Sequence, residues 1–150
     1  MTVVEQLYSL SEVRYLYKSW KRDTITLPWE ERCKSHSKRT SDGGLVFGSS
    51  LPAGTVLMEK NCFVLEPEQT VVQVIESPEP VYLLSPRTPH EWAYWAYQIG
   101  NRHQALMIED EHLVCLQEPG VKILLEQLRI PFTSAQHPFT PAVRVSSHIH

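Results

Sequence analysis

Apolar and polar positions in the first half of the chain alternate over short distances, as expected of strands rather than helices. Thr24 to Leu27, Leu45 to Phe47, Thr55 to Met58, Phe63 to Leu65 and Val71 to Ile75 are runs of β-branched and aromatic character. Gly43-Gly44, Gly48-Ser49-Ser50 and Pro52-Ala53-Gly54 separate them as turn signals. The polar, proline-bearing stretch Glu76-Ser77-Pro78-Glu79-Pro80 then reads as a domain boundary. The second half changes period. After a strand at Val81 to Leu84, Thr88-Pro89-His90-Glu91 combines a capping box with proline at the first helical position. Trp92, Trp95, Ala96 and Ile99 come next at i, i+3, i+4 and i+7, an apolar stripe ended by Gly100-Asn101. Val121, Leu124, Leu125 and Leu128 repeat that spacing in a second helix beginning near Pro119. Between the helices, Ala105 to Ile108 and Leu113 to Leu116 flank the acidic turn Glu109-Asp110-Glu111 as a hairpin, and Ile130 to Phe139 supplies a closing edge segment.

The order strand, helix, strand, strand, helix, strand is the ferredoxin-like split βαβ arrangement. The chain is therefore expected to be α+β, with an N-terminal β-rich, sandwich-like domain followed by a C-terminal ferredoxin-like βαββαβ domain. The expected bounds are 1–76 and 77–145, with 146–150 as a flexible histidine-containing tail.

Composition narrows the function. The chain has 150 residues, 42% of them hydrophobic and 21% charged, and a net charge of -3, which disfavours both disorder and a basic nucleic-acid binder. No apolar run approaches the roughly 18 residues that span a bilayer, and Met1 to Leu10 lacks a signal-peptide pattern, so cytoplasmic residence without membrane attachment is expected. Cys33, Cys62 and Cys115 are odd in number and far apart, unlike a disulfide framework or a CxxC site. An RNA-binding or other interaction module on the same topology is the alternative. It is disfavoured because Ala105 to Ile108 and Leu113 to Leu116 carry no aromatic platform for bases. A small hydrolase is disfavoured too, for want of a glycine-rich anion loop or a Ser-His-Asp set.

Seven histidines make imidazole the ligand type to consider first. His36 lies in the basic stretch Arg32 to Arg39, His90 in the first turn of a helix, and His112 and His137 in spacings that pair with nothing. His148-Ile149-His150 places two imidazoles on one side of an extended chain, as a metal ligand pair or a solvated tail. In Tyr97-Gln98-Ile99-Gly100-Asn101-Arg102-His103, Gly100 or Asn101 is expected to take the left-handed stop. Arg102 would then satisfy the last carbonyls and His103 would project where the next strand begins.

That stretch, with Pro138-Phe139-Thr140-Pro141, resembles the signature of the urease accessory nickel metallochaperones, the UreE family. Thr26-Leu27-Pro28-Trp29-Glu30-Glu31-Arg32 and Leu51-Pro52-Ala53-Gly54-Thr55-Val56-Leu57 are similar to its N-terminal segments. The resemblance implies a non-enzymatic carrier that brings Ni(II) to apo-urease, with Zn(II) or Cu(II) as possible occupants in vitro. It implies a homodimer through the second domain, His103 of each copy meeting at the two-fold axis with help from His148 or His150. The partners it implies are the urease accessory GTPase and the apo-urease maturation complex. The N-terminal domain would dock partners, with Arg32, Lys34, Lys38 and Arg39 as candidate contacts. This chain departs from many relatives in having Gln98 for histidine, Gly48-Ser49-Ser50 for a Pro-Arg-Gly turn, and only His148 and His150 in the tail.

Overall fold

Val4, Ile25, Phe47, Leu51, Leu57, Phe63, Leu65, Val72 and Val74 gather into one buried cluster, and the strands that carry them build the first of two compact units, Met1–Ser77. The computed structural model describes residues 1–142; His148 and His150 lie outside the described residues. The first unit runs β1 (Val3–Val4), β2 (Tyr8–Ser9), α1 (Leu10–Leu16), β3 (Lys21–Leu27), α2 (Trp29–Arg32), β4 (His36–Thr40), β5 (Val46–Ser50), β6 (Asn61–Leu65) and β7 (Thr70–Glu76). Two sheets form, in the orders β1-β5-β4 and β2-β6-β7-β3. β3 lies parallel to β7, from Lys21 beside Thr70 to Leu27 beside Glu76. Phe47 of one sheet and Phe63 of the other meet with ring centroids 5.0 Å apart, so the cluster is the filling of a sandwich.

The second face of the four-stranded sheet is covered as well. Cys62, Val64 and Val71 point into a separate cluster with Val13 of α1, flanked by Tyr8, Leu10, Tyr17 and Trp20. Burial on both faces explains why β6 and β7 read as continuous apolar runs instead of alternating ones. α1 is a helix the β-rich reading does not anticipate, although its cap is written in the sequence. The Ser9 backbone N–H donates to Glu12 Oε1 at 2.8 Å while Glu12 N–H donates to Ser9 Oγ at 3.1 Å, a reciprocal capping box.

Two further expectations are corrected in this unit. Thr55 to Met58 is irregular rather than a strand. Its backbone is engaged locally, with Leu57 N–H donating to Arg32 O at 2.8 Å and Met58 N–H to Asn61 Oδ1 at 2.7 Å, leaving no ladder to join. Gly48-Ser49-Ser50 is not a turn but the end of β5, where Gly48 pairs with Val3 on one side and Lys38 on the other.

The second unit begins at Pro78. It runs β8 (Glu79–Leu84), α3 (Pro89–Asn101), β9 (Met107–Ile108), β10 (Leu113–Leu116), α4 (Val121–Gln127) and β11 (Thr133–His137). The sheet order is β11-β8-β10-β9 and every pairing is antiparallel, as in a ferredoxin-like fold. Helix faces and strands bury Leu84, Ile99, Leu106, Leu113, Cys115, Val121, Leu125 and Ile130 together, with Trp92, Trp95 and Ala96 packed beside them. β9 is shorter than the hairpin reading, and β11 is the edge strand expected of a proline-flanked segment. Beyond β11, Thr140 N–H reaches Met107 Sδ at 3.3 Å and Ala142 N–H donates to Leu106 O at 2.7 Å, so the chain returns to β9. No helix among the described residues is long and apolar enough to cross a membrane.

Candidate metal centre

α3 starts where the sequence places it. Thr88 Oγ1 accepts from Glu91 N–H at 3.1 Å and Pro89 occupies the first turn, while Glu91 Oε1 reaches back one residue past the cap, to Arg87 N–H at 2.8 Å. The buried Ile99 fixes the last turn against the core. The C-terminal end of α3 differs from the expected stop. Gly100 and Asn101 are both helical, Arg102 is the C-cap, and the left-handed residue is His103, with φ 59°. His103 N–H donates to Gly100 O at 3.0 Å and Gln104 N–H to Ile99 O at 3.4 Å, the paired bonds of a Schellman motif. The terminal carbonyls are thus satisfied by backbone N–H groups, not by the Arg102 side chain as expected. Glycine is the usual residue at this position because a Cβ is strained there. Here a histidine takes it and is exposed. A backbone bonded on both sides holds its imidazole in solvent on a rigid support.

Beside His103 lies a surface cavity of about 240 Å³, lined by Ala96, Gly100, His103, Gln104, Ala105, Leu106, Ile108 and Ala142. Its wall is mostly apolar, so His103 is its one imidazole. Ala142, tied to Leu106, is the last of the described residues and lines this wall.

The other described histidines lie away from this cavity. His90 stacks on Tyr94 at 5.7 Å and His36 Nδ1 lies 3.1 Å from Ser50 Oγ, while His112 is tied only through its backbone, its carbonyl accepting from Glu109 N–H at 2.9 Å. His137, for which spacing suggests no partner, has Nε2 3.3 Å from Glu109 Oε1. Among the described residues no three His, Cys, Asp or Glu side chains gather as a metal site. At this cavity the described residues bring a single imidazole, that of His103.

The basic stretch of the first unit is corrected more sharply. Arg32 is fully buried and Arg39 is 4% exposed, so neither is a surface contact. Arg32 Nε donates to Leu27 O and its Nη1 to Leu57 O, each at 3.2 Å. Arg39 Nε donates to Ser49 Oγ at 2.8 Å and its Nη2 to Lys34 O at 2.7 Å. Burial pulls the Arg39 value below that of an ordinary guanidinium, opposed by the charge of Glu31. Both side chains fasten loops. Lys34 pairs with Glu31 at 2.6 Å and Lys38 is exposed, which leaves these two on the surface.

Fold and site together define a two-domain α+β protein that presents an exposed imidazole just past the C-terminal end of α3 in its ferredoxin-like half. Residues 18–76 match the N-terminal domain of the UreE urease accessory protein, and residues 79–150 match its C-terminal domain. The chain is 33% identical to the urease accessory protein UreE of Burkholderia vietnamiensis over 118 residues, which is 79% of this chain and 58% of that one. It is 33% identical to that of Verminephrobacter eiseniae, covering 79% of this chain and 72% of the relative. With that of a Nostoc species the identity is 31%, over 85% of this chain and 86% of the relative. The chain belongs to the UreE urease accessory protein family.

Proposed function

We propose that this protein is a nickel metallochaperone that carries Ni(II) to apo-urease while the urease metallocentre is assembled. It is a carrier, not an enzyme. The observation that carries the reading is the family membership across both halves, with Gly100-Asn101-Arg102-His103 at the end of α3 and His103 exposed. In this reading the ion is shared by His103 from two copies at a two-fold axis and completed by His148 or His150. An isologous contact brings identical residues together, which turns one imidazole per chain into two. His148 lies six residues beyond Ala142, a reach of at most about 21 Å in an extended chain, and Ala142 borders the same cavity as His103. Neutral imidazoles suit nickel, copper and zinc alike, so Zn(II) and Cu(II) would compete in vitro and delivery would depend on metal supply and partners. A solvent-facing site can exchange its cargo with an acceptor, as a closed cage cannot.

Labour divides accordingly, with 1–76 for partner docking, 77–145 for metal binding and dimerisation, and 146–150 as the histidine tail. The urease accessory GTPase and the apo-urease complex are the partners, met in the cytoplasm. Calorimetry and sedimentation test the proposal together. The whole chain should bind one tight Ni(II) per dimer, a chain ending at Ser146 should still dimerise but bind more weakly, and His103→Ala should lose the tight site. One tight ion per monomer, or unchanged affinity in His103→Ala, would overturn it.

A further inference from the structure

The family match begins at residue 18, so β1, β2 and α1 stand outside it, yet they pack tightly on the first unit. β2 and α1 shape the outer face of the four-stranded sheet. Leu10 and Arg14 of α1 close a cavity of about 430 Å³ over Arg22, Asp23 and Thr24 of β3, Cys62 of β6, and Val71 and Gln73 of β7. That volume lies within the range of ligand-binding pockets.

The cavity has an apolar floor and a cationic rim. Arg22 is held in place by α1, since its Nη2 donates to Tyr17 O at 3.2 Å and more loosely to Val13 O at 3.5 Å. This bond also fastens the carbonyl end of the helix, where a cation is favoured. The guanidinium of Arg14 and the carboxamide of Gln73 engage no partner among the described residues. The lining sets one carboxylate against two guanidinium groups, so its side-chain charge stays positive. Asp23 is already occupied by Ser41 Oγ at 2.6 Å and by the N–H groups of Thr24 at 2.7 Å and Gly43 at 3.1 Å. From Arg14 to Arg22 the chain carries Arg14, Lys18, Lys21 and Arg22 and no acid, in a protein whose net charge is -3. All four cations are exposed, and so are Tyr15 and Leu16 beside them.

We propose that residues 1–17 convert this sheet face into a docking site for an acidic segment of a protein partner. Its carboxylates would meet Arg14, Arg22 and Gln73, and its apolar atoms the Leu10, Cys62 and Val71 floor. A row of cations extending past the cavity, with an exposed tyrosine and leucine alongside, fits a chain better than a single small anion. The site rests on the partner-docking role proposed for 1–76 and involves neither His103 nor nickel.

The test uses the whole chain and a rhodamine-labelled hexaglutamate peptide followed by fluorescence anisotropy, with hexaglutamine as the control. Hexaglutamate should bind, hexaglutamine should bind at least about tenfold more weakly, and the difference should shrink at about 0.5 M salt. Arg14→Glu should weaken hexaglutamate roughly tenfold while leaving the melting temperature and nickel binding as they were, because Arg14 holds nothing else. Lys38→Glu, on the other sheet, should leave peptide binding unchanged. Equal binding of the two peptides, or equal losses in Arg14→Glu and Lys38→Glu, would overturn the proposal. So would displacement of the peptide by millimolar inorganic phosphate beyond that by chloride of matched ionic strength, since the site would then be one for small anions.

Discussion

His103→Gly should make the protein more stable and unable to hold nickel. An L-residue in the left-handed region costs about 1–2 kcal/mol that glycine does not bear, and His103 sits there with φ 59°. Glycine gives back about 0.5–1 kcal/mol through the greater freedom of its unfolded backbone. The imidazole is exposed and therefore contributes little burial. The balance is a gain of about 0.5–1 kcal/mol, or roughly 2–8 °C in the melting transition of a unit this size. His103→Ala removes the ligand but keeps the strain, so it should melt no higher than the parent. Arg129 offers the matching control. With φ 56° it closes α4 in the same way, Arg129 N–H donating to Glu126 O at 3.0 Å and Ile130 N–H to Leu125 O at 2.9 Å. Arg129→Gly should therefore stabilise by a similar amount without touching nickel affinity. Differential scanning calorimetry on the four proteins, with nickel titrations on each, reads both effects. A glycine variant that melts below the alanine variant would refute the strain argument. Tight nickel binding that survives both substitutions would refute the site.

Asp42 accepts from Thr24 Oγ1 at 2.6 Å, from Thr26 Oγ1 at 2.8 Å and from Thr26 N–H at 3.2 Å, and the Thr24 bond foremost holds its carboxyl below the usual aspartate value. A lowered native value means stability that is complete above the unfolded pKa of about 3.9 and lost as pH falls through the native one. Urea melts of Asp42→Asn should differ from the parent at neutral pH and converge with it in that acid window. Gly43→Ala should cost about 1–3 kcal/mol in the same assay, because its Cβ would stand 2.7 Å from Oδ2 of Asp23, a carboxylate that three hydrogen bonds, one to Oδ2 and two to Oδ1, keep from moving. Of the three thiols, only exposed Cys33 should react quickly with a disulfide reagent at about pH 8 in the native protein. Burial pushes Cys115 up to about 12 and raises Cys62 as well, so these two should react only in denaturant.

The ferredoxin-like half is legible because its signals reinforce one another. Thr88 and Pro89 mark a start, Trp92 to Ile99 mark a buried face, and the hairpin and second helix come at ordinary spacings. The first half is harder. β1 and β2 are two residues each, too short for any period, and α1 buries only Val13 fully, so its capping box stands without a clear stripe. Arg32 and Arg39 read as solvated because cations usually are. Their burial depends on carbonyls of Leu27, Leu57 and Lys34 that only the folded loops bring to them. His103 is singled out by its motif, while its backbone state is hidden by Gly100, the residue any local rule would choose for the stop. The ligands that would complete its site cannot be read from one chain's described residues.

The parallel pairing of β3 with β7 sets a timetable for synthesis. β3 is an edge strand whose sole neighbour in its sheet is β7, and Lys21 must wait for Thr70, roughly fifty residues later. At about 5–20 residues per second the ribosome needs roughly 2.5–10 s to make that stretch. The β4–β5 hairpin can close in the meantime, but β3 has no ladder to join. A nascent chain that stalls or ends anywhere before Thr70 leaves it exposed for good. Completion of the first unit is thus tied to translation of its last strand, and a premature stop yields an open edge instead of a smaller working domain.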